Sequence, residues 1–222
     1  MGRVFAILTP HKTIPTMSWT ATGRWQLSPR RVAILLFGLT IFGLGDALLI
    51  QSKIGNAPWS VLAQGISEHS PLSIGEATFL VSAIILLLWW PLRERPGFGT
   101  IANIVVIAAA IQLGLFIFPA IHHNLAVSLF YVLLGVFLVG LGSTFYITTG
   151  LGPGPRDGLM TALHHKTGVR VARVRFGIEI CAFTAGAQLG GTFGIGTAIF
   201  ALFIGQSVAI NLSLVKYLAT AK

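Results

Sequence analysis

Displaced by 97 residues, the sequence falls on itself without a gap. FGLGD (Phe42 to Asp46) lands on VGLGS (Val139 to Ser143), IGNAPWSVL (Ile54 to Leu62) on LGPGPRDGL (Leu151 to Leu159), and GFGT (Gly97 to Thr100) on GIGT (Gly194 to Thr197). Phe79 lands on Phe176 and Leu92 on Leu189. Chance aligns apolar residues readily; it does not align glycines and a proline at three separate places in one register. The chain is therefore a duplication, with copies over 30–118 and 125–215, preceded by a basic arm over 1–29 that reads as flexible and cytoplasmic.

Each copy holds three apolar runs long enough to cross about 30 Å of hydrocarbon. They lie near 31–52, 73–92 and 99–119, then 125–149, 171–190 and 194–215. The fifth is the least apolar, since it contains Arg173, Arg175 and Glu179. The chain is 54% hydrophobic and only 9% charged, against about 25% charged in a soluble domain. It cannot hide that much apolar surface in a core of its own, so it belongs in a bilayer. Trp89 and Trp90 close the second run as an interfacial aromatic belt would.

An odd number of spans per copy turns the second copy upside down. The charges test this separately: with the N-terminus inside, fourteen Lys and Arg residues fall on the cytoplasmic side and Lys53 alone on the outside. The expected fold is an all-α polytopic membrane bundle of six transmembrane helices, built as two inverted three-helix repeats, with both termini cytoplasmic. The net charge of +9 is accounted for by this asymmetry, which argues against nucleic acid as a partner. The apolar run VFAIL near the N-terminus is shorter than a signal-peptide core.

Each copy breaks after its first span, at NAP (Asn56 to Pro58) and at PGPRD (Pro153 to Asp157). A break at membrane depth frees backbone N–H and C=O groups that lipid cannot satisfy, so they must be buried in protein or face a water-filled cavity. Pro58 and Pro155 suit the first turn of a new helix, where the missing N–H costs nothing. The helices they start, roughly 58–69 and 155–166, are too short to span. Two readings stand. Interrupted segments at matching places in inverted repeats point to a transport site, with helix N-termini and Arg156 favouring an anion. Alternatively these are tight interfacial turns, with Asp157 as a helix N-cap.

Charges inside the spans are costly in lipid. Arg175 and Glu179 stand four residues apart on one helix face and pair. Asp46 has the polar Ser143 as its repeat counterpart, and Glu76 falls opposite Arg173. Asn103, Gln112 and Gln206 add polar groups suited to an interior. The pairs Gly43/Gly45 and Gly140/Gly142 read as close helix packing, and the two GxGT elements as helix-start turns. His122–His123 and His164–His165 are adjacent rather than i,i+4, so neither pair chelates a metal. Cys181 is the single cysteine and reads as packing. With no HExxH, CxxC, Ser/His/Asp pattern or phosphate loop, neither an enzyme nor a cofactor or metal is expected.

GLGPGPRDGL, followed by VRFGIE and GGTFGIGT, resembles the bacterial YczE-like integral membrane proteins, a group related to the YitT membrane proteins. The resemblance covers about residues 31–215 and implies a multi-pass protein of the bacterial plasma membrane. It carries over no ligand residues.

The leading functional reading is a small-solute transporter or permease. Its site lies between the repeats, with Pro58, Pro155, Arg156, Asp157, Arg175, Glu179 and Asp46 closest. Asp46, Asp157 or Glu179 would serve as a proton-coupling carboxylate. The solute is expected to be anionic or zwitterionic. The alternative is an accessory membrane protein that scaffolds another complex, its short helices serving as docking faces. A homodimer is compatible with either.

Overall fold

A computed structural model describes residues 15–220. Among these the elements are helical, in the order α1 (Pro29–Gln51), α2 (Pro58–Glu68), α3 (Ile74–Leu87), the single turn α4 (Trp89–Leu92), α5 (Phe98–Ile117), α6 (Leu125–Thr148), α7 (Pro155–Thr167), α8 (Val171–Gln188) and α9 (Ile195–Thr220). By length and composition five segments suffice to cross a membrane: α1, α3 with α4, α5, α6 and α9. The protein is thus a polytopic helical membrane protein. The eighteen-residue α8 is the expected fifth span, and its three charged residues keep it out of that set.

The helix starts follow local chemistry. Ser28 caps α1 by accepting from the Arg31 N–H, with Pro29 in the first turn. Ser73 and Glu76 form a capping box on α3, which gives Glu76 a local role at the helix start. Asn124 accepts from the Val127 N–H at the start of α6. Pro58 and Pro155 each occupy the first turn of a short helix, as expected.

Glycines set the packing. The centre of the bundle is α1, which packs along α6 on one side and α5 on the other. A Cβ on Gly43 would lie 2.5 Å from the Ala110 Cβ, and one on Gly142 would lie 2.5 Å from the Gly38 carbonyl oxygen. Such contacts let helix backbones touch where lipid offers no hydrophobic drive to association. α9 packs on α6, while α8 crosses α2, where Gly186 meets the backbone of Val61 and Leu62. Outward-facing side chains are large and apolar, among them Phe116 and Phe130 on α5 and α6 and Leu202 on α9, as a lipid-facing surface requires.

The two breaks hold each other's partners. The Gly99 N–H donates to the Leu151 carbonyl at 2.9 Å, and the Gly196 N–H donates to the Ile54 carbonyl at 2.9 Å. These two bonds are one another's equivalents under the 97-residue displacement. The GxGT elements therefore start α5 and α9 and also satisfy carbonyls freed in the opposite half. Gly55 and Gly152, again equivalent, make this approach possible: both have φ in the left-handed half of the map, and both touch the opposite GxGT turn.

Several expectations are revised by packing. Residues 15–28 are not a free arm. The Ala21 N–H donates to the Thr149 carbonyl at 2.8 Å, Thr20 Oγ1 donates to the Thr148 carbonyl, and Arg24 pairs with Glu94 at 2.9 Å. Ala21 is buried among Leu35, Leu39 and Leu151, so the bonds beside it hold the segment on the bundle, while the Arg24–Glu94 pair stays exposed. The remainder of the expected arm, residues 1–14, lies outside the described residues. The tryptophan pair divides: Trp90 is 89% exposed, whereas Trp89 is 1% exposed and donates Nε1–H to the Pro155 carbonyl at 3.0 Å. Cys181 is exposed on α8 instead of packed, and Gln206 faces outward.

The glycine contacts predict a contrast between two substitutions. Gly43→Ala forces α1 and α5 apart, at a cost of about 1–3 kcal/mol, and lowers the unfolding midpoint of the detergent-purified protein. Gly177→Ala places its Cβ where nothing lies within 4 Å, and leaves that midpoint unchanged or raises it slightly.

Candidate functional site

One cavity of about 360 Å³ opens between the starts of α2 and α7, within the size range of small-molecule sites. All seven residues singled out from the sequence line it: Asp46 on α1, Pro58 on α2, Pro155, Arg156 and Asp157 on α7, and Arg175 and Glu179 on α8. Of the polar residues expected in an interior, Asn103 joins them, while Gln112 instead accepts from the Gly75 N–H at 3.2 Å. The remaining wall is largely apolar, with Phe42, Ile107, Val139, Phe200 and Ile204.

The two short helices point their N-termini at this space. Neither start carries a side-chain cap, so first-turn amides keep their partial positive charge toward the cavity. The N-cap of α7 is Gly154, and Asp157 stands three residues into the helix. Asp157 therefore does not cap α7. It accepts a short hydrogen bond from the Tyr146 hydroxyl, with Tyr146 itself buried on α6. Trp89 locks the same turn from outside through its bond to the Pro155 carbonyl, and its indole leaves no room for a side chain at position 158.

Arg156 is the unpaired cation of the site. Among the described residues the ion pairs are Arg24–Glu94 and Arg175–Glu179, and Arg156 belongs to neither. Its guanidinium lies over the Trp59 ring, 4.9 Å from the centroid, a contact that holds its orientation without neutralising it. Desolvation draws its pKa below the usual value; Asp46, Asp157, Tyr146 and Glu179 act in the opposite direction. An arginine starts from so high a value that it stays charged.

Asp46 is the buried carboxyl group of the site. It is 2% exposed, and its Oδ2 accepts from the Ser60 hydroxyl at 2.7 Å. Its Oδ1 has no hydrogen-bond partner, although a buried polar atom without one is costly. Arg175 and Glu179 pair at 2.8 Å and stay about half and one-third exposed. Among the described residues no three His, Cys, Asp or Glu side chains are grouped as a metal site requires.

Sequence reasoning missed Trp59, Tyr146, Ser60 and Ser82. A signal existed for three of them: displacement by 97 residues puts Trp59 on Arg156, Ser60 on Asp157 and Ser82 on Glu179. The contact between Tyr146 and Asp157 had none, because it joins two elements across a turn that the sequence does not shape.

Comparison with known proteins bears on most of the chain. A family model described as "Family of unknown function (DUF6198)" matches residues 29–212. An "Uncharacterized protein" of Haemophilus influenzae is 39% identical over 207 residues, covering 93% of this chain and 94% of that protein. The "Uncharacterized membrane protein YczE" of Bacillus subtilis is 34% identical over 177 residues, covering 79% and 82%. "Uncharacterized protein YyaS" of the same organism is 26% identical over 182 residues, covering 81% and 90%. The likeness to YczE-like membrane proteins seen in the sequence thus holds over most of the chain. No solved structure matches.

The fixing of α7 by Trp89 is testable. Trp89→Phe removes the donor to the Pro155 carbonyl and should cost about 1–3 kcal/mol, read as a lower unfolding midpoint. Trp90→Phe, on the exposed neighbour, should change stability by less than about 0.5 kcal/mol.

Proposed function

Because the chain belongs to the DUF6198 family of membrane proteins, for which no function is described, we propose its activity from the site itself: a carrier or permease for a small polar solute, bound in the cavity between α2 and α7. One observation carries this reading. The cavity walls come in pairs related by the 97-residue displacement: Phe42 with Val139, Asp46 with Ser143, Pro58 with Pro155, and Ile107 with Ile204. Trp59 and Arg156, also a pair, touch each other across it. A site lined by matching positions of two related halves suits alternating access, in which one half rocks against the other around a fixed solute.

The reading takes the halves as inverted repeats and α8 as the fifth of six spans, its charges eased by the Arg175–Glu179 pair and by the cavity. It places the protein in the bacterial plasma membrane with both termini cytoplasmic. Coupling to an ion gradient would fall to a cavity carboxylate.

Two measurements test it. In a Cys181→Ala background, single cysteines replace Lys53 or Lys166. A membrane-impermeant maleimide applied to intact cells should label position 53 and spare position 166; the reverse pattern overturns the orientation. For binding, unfolding midpoints of the detergent-purified protein are measured across a panel of metabolites. A solute at about 100 times its dissociation constant adds about 2.7 kcal/mol of stability, and the shift should vanish in Glu179→Gln or Asp157→Asn. A flat response across the panel would count against the carrier.

A further inference from the structure

The cavity lining brings together a basic group and an acidic one. The guanidinium of Arg156 is in no ion pair among the described residues, and the two helix starts have no side-chain caps. Asp46 is nearly fully buried on α1, with Oδ1 unmatched. Arg156 rests on Trp59, so its outer N–H groups are left to form a fork that fits a carboxylate. An unmatched buried carboxylate oxygen calls for a donor.

A simple anion drawn to Arg156 would also meet Asp46 and Asp157. A simple cation drawn to Asp46 would meet Arg156 and the helix starts. Like charges a few ångströms apart in a poorly solvated space repel strongly. A molecule carrying both charges escapes each conflict. The rest of the wall is apolar, with Phe42, Ile107 and Ile204, and suits a hydrocarbon portion.

Resting on the carrier reading above, we infer that the solute is a zwitterion of amino-acid type: its carboxylate is held by Arg156 and the two helix starts, its ammonium by Asp46 Oδ1, and its apolar portion by the cavity wall. The stoichiometry is one carboxylate and one ammonium per site. The solute size is that of a single amino acid, given a space of about 360 Å³.

The test uses the full-length protein in detergent and reads the unfolding midpoint. The zwitterionic probes are the proteinogenic amino acids with β-alanine, γ-aminobutyrate and glycine betaine. Leucine and phenylalanine are each accompanied by their two halves: 4-methylpentanoate and 3-methylbutylamine, 3-phenylpropionate and 2-phenylethylamine. At least one zwitterion should raise the midpoint, and removal of either charged group should weaken binding about tenfold or more. Arg156→Gln and Asp46→Asn should each abolish the shift, with Arg156→Lys restoring part of it. The comparison of whole and half ligands on the unmodified protein decides the matter even where a variant does not fold. If the carboxylates bind as well as their parents, and Asp46→Asn leaves that binding intact, the cavity is a solute site but the zwitterion inference falls. If some other metabolite stabilises the protein while every zwitterion is silent, the same conclusion follows. Silence from all probes and all metabolites overturns both readings.

Discussion

The chain breaks after each of two long helices, at 52–57 and 149–154, and the structure answers the breaks with a reciprocal exchange. The Leu151 carbonyl takes the Gly99 N–H, and the Ile54 carbonyl takes the Gly196 N–H. Each half therefore completes the backbone of the other. A buried carbonyl left without a donor is costly, so each bond stabilises the break it completes. The close approach of α1 to α5 and α6 through glycine holds those partners in place. The cavity follows from the same exchange, because it lies where both breaks turn into new helices.

Backbone equivalence does not extend to charge. Asp46 stands on a long helix with Ser60 on the short one; at the matching places in the second half these are Ser143 and Asp157, so the carboxylate has moved from the long helix to the short. Trp59 corresponds to Arg156, and Ser82 to Glu179. Four of the cavity's five charged residues thus come from the second half, and Asp46 alone from the first. These differences make the two halves' contributions to the cavity wall unlike in charge. The segment 15–28 adds a second asymmetry, since it is bonded to Thr148 and Thr149 beside the second break.

Much of the site was legible from sequence, for a definite reason. Pro58 and Pro155 mark helix starts because proline lacks the N–H that a first turn does not use, and their positions match under the displacement. Residues near them, Arg156 and Asp157, and the in-span charges Asp46, Arg175 and Glu179 were exceptions to an apolar background, and all of them line one cavity. What was not legible depended on side chains meeting across elements. Trp89 looked like its neighbour Trp90, but only Trp89 finds a carbonyl to donate to. Asp157 looked like a cap, yet Gly154 starts the helix and Tyr146 holds the carboxylate. Cys181 sat in an apolar run with no indication that its face of α8 is uncovered.

By itself the sequence determined that this chain is a helical membrane protein with matching breaks in two related halves. Composition, proline placement and the spacing of glycines are local properties, and they act on the backbone wherever the chain goes. Only the tertiary structure decided which groups are left unmatched. Arg156 faces a tryptophan instead of a carboxylate, and one oxygen of Asp46 has no donor. Pairing is a matter of distance between residues far apart in sequence, and packing alone sets those distances.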